Sequence, residues 1–549
     1  MGKNAFYFSL QFSAIQKTVL RHDRLWSIAG ISQILSMINE LELPRITQGN
    51  DGDVLVAGGG KFTAKFPDEQ KAQNAADEMV KAVTTTLPML EFQYSPIIEA
   101  GSLVQAKDTG LIKILLEQKQ QFRGYGITYN PHLEVCDECG EYPAVETSYQ
   151  GNEKSSLCRI CFQARKATSD LKNILSRYNQ NKTLTSLERI YARYWARLSR
   201  KDKQLQVPSI PKDFEKIFPR AKENKEKKNK ETEADHDAKE RVRMAVWLSD
   251  ANNMNGKVPV WLSQDDDLIP KIFKQVQEVN IKVVSGALET VFGPETWNEH
   301  DDGLFLPFRL VVAGGDDLCL VMPEEYILDF TLHFSNKVSE AVGGLQEDHF
   351  LHESWLESHR DPEKQKDPPG PYCFGASFVV TALHTPFKAI HSLGETLMST
   401  AKEVTKREAD SVNWQILNVD EEADDAALLI FEKPVFIQNK QNSGEHRSAI
   451  ADKHTFERYL DSMRDYLEIL SSSQMKNAAS ALVAANGDSA KAELILVKSA
   501  VGVKKEGLTK LLSDKSLRTN EGHGKPRLDL PKIATLLELI NIKRREKAK

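Results

Sequence analysis

The chain has no apolar run approaching the roughly 20 residues that a helix needs to cross a bilayer. The expectation is therefore a cytoplasmic protein with no membrane partner. The opening MGKNAFYFSLQF has neither a basic-then-apolar leader nor a small-residue cleavage pattern, and reads as an immediate β-strand. Met-Gly is only a fragment of a myristoylation signal, because the sixth position is Phe rather than Ser or Thr. Cysteine is scarce, with six in 549 residues, which excludes a disulfide scaffold. Basic excess is also lacking. The net charge of −6 argues against a protein that coats nucleic acid over its whole surface, while leaving room for a local basic groove. No GxxxxGK[ST] phosphate loop occurs, so any phosphate must be held by another device.

What is present is an ordinary globular composition, 40% hydrophobic and 27% charged, in a chain too long for one core. Asn4–Phe12 reads as a strand and Gln16–Glu40 as a helix. Asp53–Ala57 and Phe62–Phe66 form a hairpin about a glycine turn, and Gln70–Thr86 is again helical. A cysteine-bearing insert and a helical stretch follow. AKENKEKKNKETEADHDAKE then has almost nothing to bury and reads as a solvated linker. Strand–helix alternation returns from Val242, with helices over Leu268–Phe292, Glu324–Val342 and Pro386–Arg407. Beyond Arg447 the apolar spacing is helical. The expected units are 1–100, 101–200, 201–240 as linker, 241–440 and 441–549.

Two segments repeat. Asp53–Pro67 is DVLVAGGGKFTAKFP and Arg309–Pro323 is RLVVAGGDDLCLVMP, each a strand, an Ala-Gly-Gly turn, a second strand and Pro before a helix. Matching flanks and element order favour duplication of a β-α-β-β-α-β unit. The expected class is α+β: two ferredoxin-like palm domains, a zinc-binding insert and a helical C-terminal domain.

The second copy carries chemistry. In Val312-Ala313-Gly314-Gly315-Asp316-Asp317-Leu318 an apolar strand enters two glycines and two acids and leaves as an apolar strand. Adjacent carboxylates repel, and a divalent cation relieves the repulsion. Asp250, ending MAVWLSD, falls on the strand expected beside this hairpin. Asp250, Asp316 and Asp317 would then hold Mg²⁺ or Mn²⁺ through oxygen, with substrate phosphates completing the coordination. Such a site suits two-metal nucleotidyl transfer. The competing reading is an ordinary charged β-turn. The first copy has Gly58-Gly59-Gly60-Lys61 instead and no acid on its first strand. It either donates backbone and Lys61 to a nucleotide between the palms or is architectural.

Cys136-x2-Cys139, eighteen residues, then Cys158-x2-Cys161 is a zinc pattern with all four positions filled by protein, hence structural. The dipeptides His22-Asp23, His236-Asp237 and His300-Asp301 lack the company a metal-dependent phosphohydrolase requires. His349, His352 and His359 read as a flexible surface loop.

Taken together, these motifs resemble the large palm-domain subunit of type III CRISPR effector complexes over nearly the whole chain. FYFSLQFSAIQKTV is similar to that family's opening strand and helix. RHDRLWSIAGISQIL resembles a segment of its Cmr-type, or III-B, branch. VAGGGKF resembles the inactive first palm, LSDANNMNG and VVAGGDD resemble the active one, and the paired CxxC resembles the zinc insert. The resemblance implies nucleotide contacts at Gly59, Gly60, Gly314, Gly315 and, near the end of a helix, Lys402. It implies ATP as substrate and cyclic oligoadenylate as product, or an AMP conjugate with S-adenosylmethionine as co-substrate. It also implies guide RNA, target RNA and other Cmr-type effector subunits as partners. Many relatives carry an N-terminal His-Asp nuclease domain; this chain begins at the first palm, so no DNase of that type is expected. Asn252 and Asn255 stand where Asp and Gly are common in the family, which raises the question of a weakened second metal site. A catalytically silent scaffold and a free-standing diguanylate-cyclase-like enzyme are the alternatives.

Overall fold

The computed structural model describes residues 4–13, 15–19, 24–88, 90–106, 134–140, 142–150, 153–167, 170–219, 242–361, 363, 369–383, 385–417, 435–436, 518–519 and 527–528. The expected strand ALLIFEK, the dipeptides His22-Asp23 and His236-Asp237, and nearly all of 441–549 lie outside them.

The N-terminal part runs β1 (Ala5–Ser13), α1 (Leu25–Met37), β2 (Asp53–Gly58), β3 (Lys61–Phe66), α2 (Glu69–Thr86), β4 (Glu91–Tyr94) and β5 (Ile98–Ala100). Its sheet order is β2-β3-β1-β4, with β5 also paired to β1, and every pairing is antiparallel. The cysteine insert adds a hairpin, β6 (Glu146–Gln150) and β7 (Glu153–Leu157), and helix α3 (Arg159–Ala167). Helix α4 (Ser186–Lys201) follows, opened by a capping box in which Thr185 and Glu188 satisfy each other's backbone N–H.

The second part runs β8 (Arg243–Ala251), α5 (Met254–Leu262), α6 (Ile269–Val291), β9 (Asn298–His300), β10 (Gly303–Phe305), β11 (Arg309–Gly314), β12 (Asp317–Pro323) and α7 (Ile327–Gly343). It continues with β13 (Phe374–Ala382), α8 (Phe387–Val404), β14 (Ser411–Ile416) and β15 (Val435–Phe436). The sheet order is β11-β12-β8-β13-β14-β15. Its first four strands repeat the N-terminal order, hairpin then first strand then last strand, as a β-α-β-β-α-β unit requires. The likeness reaches the irregularities. Register shifts between Val54 and Val56 in one hairpin and between Leu310 and Val312 in the other, the same two positions once the Ala-Gly-Gly turns are aligned. A bulge re-aims a strand and increases its twist; the shared bulge is a second mark of duplication that composition alone does not reveal.

The two units pack reciprocally: α1 lies against β11 and α6 against β2. Strand β8 is central and buried on both faces. Trp247 joins the core beneath α6 and α7, whereas Val246 and Leu248 join a second core with Phe8, Leu10 and Phe62 of the first unit. The period-two alternation of the strand thus ties the two units together.

Three expectations are corrected. The helix expected over Gln16–Glu40 is interrupted. Ile15–Val19 and Leu25–Met37 are separate, because Arg24 is extended (φ −86°, ψ 133°), and a π-turn over Ile38–Glu42 follows. The helix expected from Glu324 begins as a 3₁₀ turn after Pro323 and becomes α-helical at Ile327. The first half of the segment expected as linker is packed: Ile210, Ile217 and Phe218 are buried, and Ser209 bonds Leu304 and Leu306 through its backbone. No described helix is long and apolar enough to cross a membrane.

Candidate metal and nucleotide site

Strand pairing assembles the acids. Leu318 of β12 pairs with Ser249 of β8, so one step further along places Asp317 beside Asp250; Asp316 occupies the turn itself. Carboxylate oxygens of Asp250, Asp316 and Asp317 all lie within 4.8 Å of one another. Burial, then repulsion from Asp317 and Asp250, holds Asp316 well above the usual carboxylate range. Part of Asp317 meets solvent, yet loss of water around its carboxylate, reinforced by Asp250 and opposed by Lys402, pushes it up to about 7. Such mutual destabilisation is what a bound cation would relieve. The donors are hard oxygens from two adjacent strands and the turn that opens one of them, and they fit Mg²⁺ or Mn²⁺ by donor chemistry.

The turn has a backbone reason. In the first hairpin Gly59 and Gly60 both adopt positive φ (56° and 73°), which favours glycine. In the second only Gly315 does (64°), leaving Asp316 in ordinary backbone space, so an acid there costs no strain. Gly59 and Gly60 therefore lie in the turn that faces Gly315. Lys61, at the place of Asp317, starts β3 and is exposed.

Lys402 is brought to the site. It is buried on α8, and its ammonium donates to Asp250 Oδ2. Gly375, paired with Asp250 across β8 and β13, clears its path.

Several residues that sequence reasoning missed complete the surroundings. Asn280 on α6 donates to the Gly315 carbonyl at 2.6 Å, and Tyr372 OH donates to Asn280 Oδ1 at 2.6 Å, which fixes the turn from behind. Lys257 is fully buried and bonds the Asn252 carbonyl at 2.8 Å; burial lowers its pKa to about 8. Asn252 is itself buried, and its amide donates to the Ala409 carbonyl (3.2 Å) and the Cys373 sulfur (3.3 Å). Its side-chain NH₂ group thus fastens the turn after α8. Asn253 (φ 56°) donates to the Arg407 carbonyl at 2.8 Å, and Lys406 and Arg407 also have positive φ (50° and 61°). Three of the five non-glycine residues at positive φ among the described residues therefore meet beside this site, the kind of local strain that a surrounding structure must hold in place.

The four thiols of Cys136, Cys139, Cys158 and Cys161 also converge within 4.8 Å. Cys139 and Cys158 are 3.9 Å apart, close to the edge of about 3.8 Å for a tetrahedron with Zn–S of about 2.3 Å. All four donors being sulfur, the set fits zinc. Helix α3, which carries Cys161, packs closely on α1: a Cβ on Gly30 would stand 2.1 Å from the Ala164 carbonyl oxygen.

Among the described residues these are the two clusters of His, Cys, Asp and Glu with ligand atoms this close. The other described histidines singled out in the sequence have local partners. His300 bonds the Phe218 carbonyl, His349 and His352 accept backbone N–H groups of Leu351 and Ser354, and His359 stacks on Trp355 at 4.1 Å.

A scan against family models and a search of curated proteins find no match to the chain. Solved structures do resemble it. A Csm1-Csm4 cassette in complex with cA4 is 11% identical with a TM-score of 0.48, covering 99% of this chain and 70% of that one. Csm1 in T.onnurineus is 13% identical with a TM-score of 0.45, covering 98% and 69%. The Csm1-Csm4 subcomplex of the type III-A CRISPR-Csm interference complex is 12% identical with a TM-score of 0.42, covering 98% and 70%. All three of these neighbours are of the Csm type.

Proposed function

We propose that the protein is a nucleotidyltransferase whose reaction centre is the Asp250, Asp316 and Asp317 trio. The observation that carries this reading is the convergence of three carboxylates, two from adjacent strands and one from the glycine turn between β11 and β12. Divalent cations bound there would supply charge neutralisation and activation of an attacking hydroxyl. The chain's own residues do the rest. Asp316 and Asp317 present their oxygens from a turn that Asn280 and Tyr372 hold still. Gly314 and Gly315 have no side chain to keep a triphosphate from the backbone. Gly59 and Gly60 offer the matching surface on the other unit.

The substrate we propose is ATP and the product a cyclic oligoadenylate, or an AMP conjugate of S-adenosylmethionine, as the sequence resemblance implies. By the same resemblance we propose a subunit of a type III CRISPR effector of the Cmr branch, activated when target RNA pairs with guide RNA. The cysteine cluster would bind zinc and act structurally, its four positions leaving none for substrate.

The test is incubation of the assembled complex with ATP, Mg²⁺ and matching target RNA, with and without S-adenosylmethionine, followed by mass spectrometry. An adenylate product that disappears with Asp316→Asn plus Asp317→Asn supports the reading. No product under any of these conditions contradicts it.

A further inference from the structure

Lys402 sits where a lysine waiting for a nucleotide's phosphates would not rest. It is 4% exposed, and its ammonium donates to a carboxylate of the trio. Its place is built on both sides. A Cβ on Gly375 would stand 2.3 Å from Lys402 Cγ and 2.5 Å from Cε, so the facing strand leaves a groove for the stem. Behind it, the Arg407 N–H bonds the Lys402 carbonyl at 2.9 Å, and Asn253 grips Arg407 in turn, which holds the end of α8 in its strained turn.

We propose that Lys402 is an internal counter-ion that competes with the divalent cation for Asp250. In the metal-free protein its ammonium neutralises part of the trio's charge. A cation entering the trio displaces it, because two positive groups sharing one carboxylate repel strongly at short range. The freed ammonium is then available to an anion such as the phosphate chain of a nucleotide. Metal loading and nucleotide binding are thereby coupled, each strengthening the other by the same factor. This rests on the reading of the trio as a metal site.

The experiment is titration of the full chain with Mn²⁺, without nucleotide, read by electron paramagnetic resonance; Mn²⁺ prefers oxygen donors to the thiolate cluster. The variants are Lys402→Met, which keeps the stem, Gly375→Ala, whose Cβ evicts the stem without removing its charge, and Asp317→Asn. Lys402→Met is expected to tighten Mn²⁺ binding by about tenfold or more, and Gly375→Ala to shift it the same way. Should Lys402→Met not fold, Gly375→Ala decides. Unchanged or weaker binding in these variants, with binding still lost in Asp317→Asn, overturns the counter-ion while leaving the metal site standing. Binding that survives Asp317→Asn overturns the metal-site reading itself.

Discussion

Gly59 and Gly315 touch: a Cβ on Gly315 would stand 3.2 Å from both the Cα and the N of Gly59. The two glycine turns, one from each copy of the repeat, therefore meet at the junction of the units. Gly315 also holds φ at 64°. Gly315→Ala is expected to cost about 1–2 kcal/mol from the left-handed backbone alone, with a further loss from the crowded junction. Gly314 has nothing within 4 Å of an added Cβ and no positive φ, so Gly314→Ala should be nearly neutral for stability. Denaturant titration of the two variants checks the contrast, and equal destabilisation would contradict it.

Asn280 and Tyr372 act on the turn in series, through two hydrogen bonds of 2.6 Å. Asn280→Ala leaves the Gly315 carbonyl and the buried Tyr372 hydroxyl without these partners, at roughly 1–3 kcal/mol for a buried group. Tyr372→Phe removes only the outer bond and should cost about 1 kcal/mol. Adenylate synthesis should fall more in Asn280→Ala than in Tyr372→Phe, measured as rate at saturating ATP. The reverse order would show that the pair does not work through the turn.

The cysteine insert depends on one close approach. With the Ala164 carbonyl oxygen 2.1 Å from its would-be Cβ, Gly30→Ala must push α3 away from α1. Overpacking of this kind costs about 1–3 kcal/mol. Gly49→Ala, with nothing within 4 Å, is the matched control. The expected result is a lower unfolding midpoint for Gly30→Ala alone, with faster hydrogen exchange in Arg159–Ala167.

Asp410 gives a pH dependence with a defined sign. It is buried, accepts from the Phe374 N–H at 2.8 Å and the Ser335 hydroxyl at 3.1 Å, and is pushed up to about 7 by burial against those two bonds. Unfolded, it titrates at its ordinary 3.8. Between those values the unfolded chain releases a proton that the folded chain keeps, so this group's contribution is full below about 4 and is lost as pH rises towards 7. Asp410→Asn removes the titration. Its stability relative to the unmodified protein should therefore rise across that window, followed by denaturant titration at each pH; a flat difference would contradict the assignment.

The repeat, the sheet order it implies and the convergence of Asp250 with Asp316 and Asp317 were legible because they are written locally. Apolar runs mark the strands, Ala-Gly-Gly marks the turns, and the ferredoxin-like plan puts first strand beside hairpin. The cysteine cluster was legible from spacing. Asn280, Tyr372, Gly375 and Lys257 were not. The first three matter through partners distant in sequence, and nothing in the neighbours of any of the four distinguishes them from ordinary helix or strand residues. Asn252 is the instructive case. On the strand-end motif it invites comparison with a metal ligand, but the chain turns after Ala251 and carries its amide to Ala409 and Cys373. The break before Leu25 was missed although Arg21-His22-Asp23-Arg24 interrupts the apolar spacing there; the backbone of Arg24 is extended.

The most direct test of the account is a crystal of the protein grown with Mn²⁺ and a non-hydrolysable ATP analogue, with anomalous scattering recorded at the manganese edge. The account predicts anomalous density within coordination distance of Asp250, Asp316 and Asp317, with the Lys402 ammonium moved off Asp250. Bound nucleotide with manganese elsewhere, or a trio without metal at saturating Mn²⁺, would contradict it.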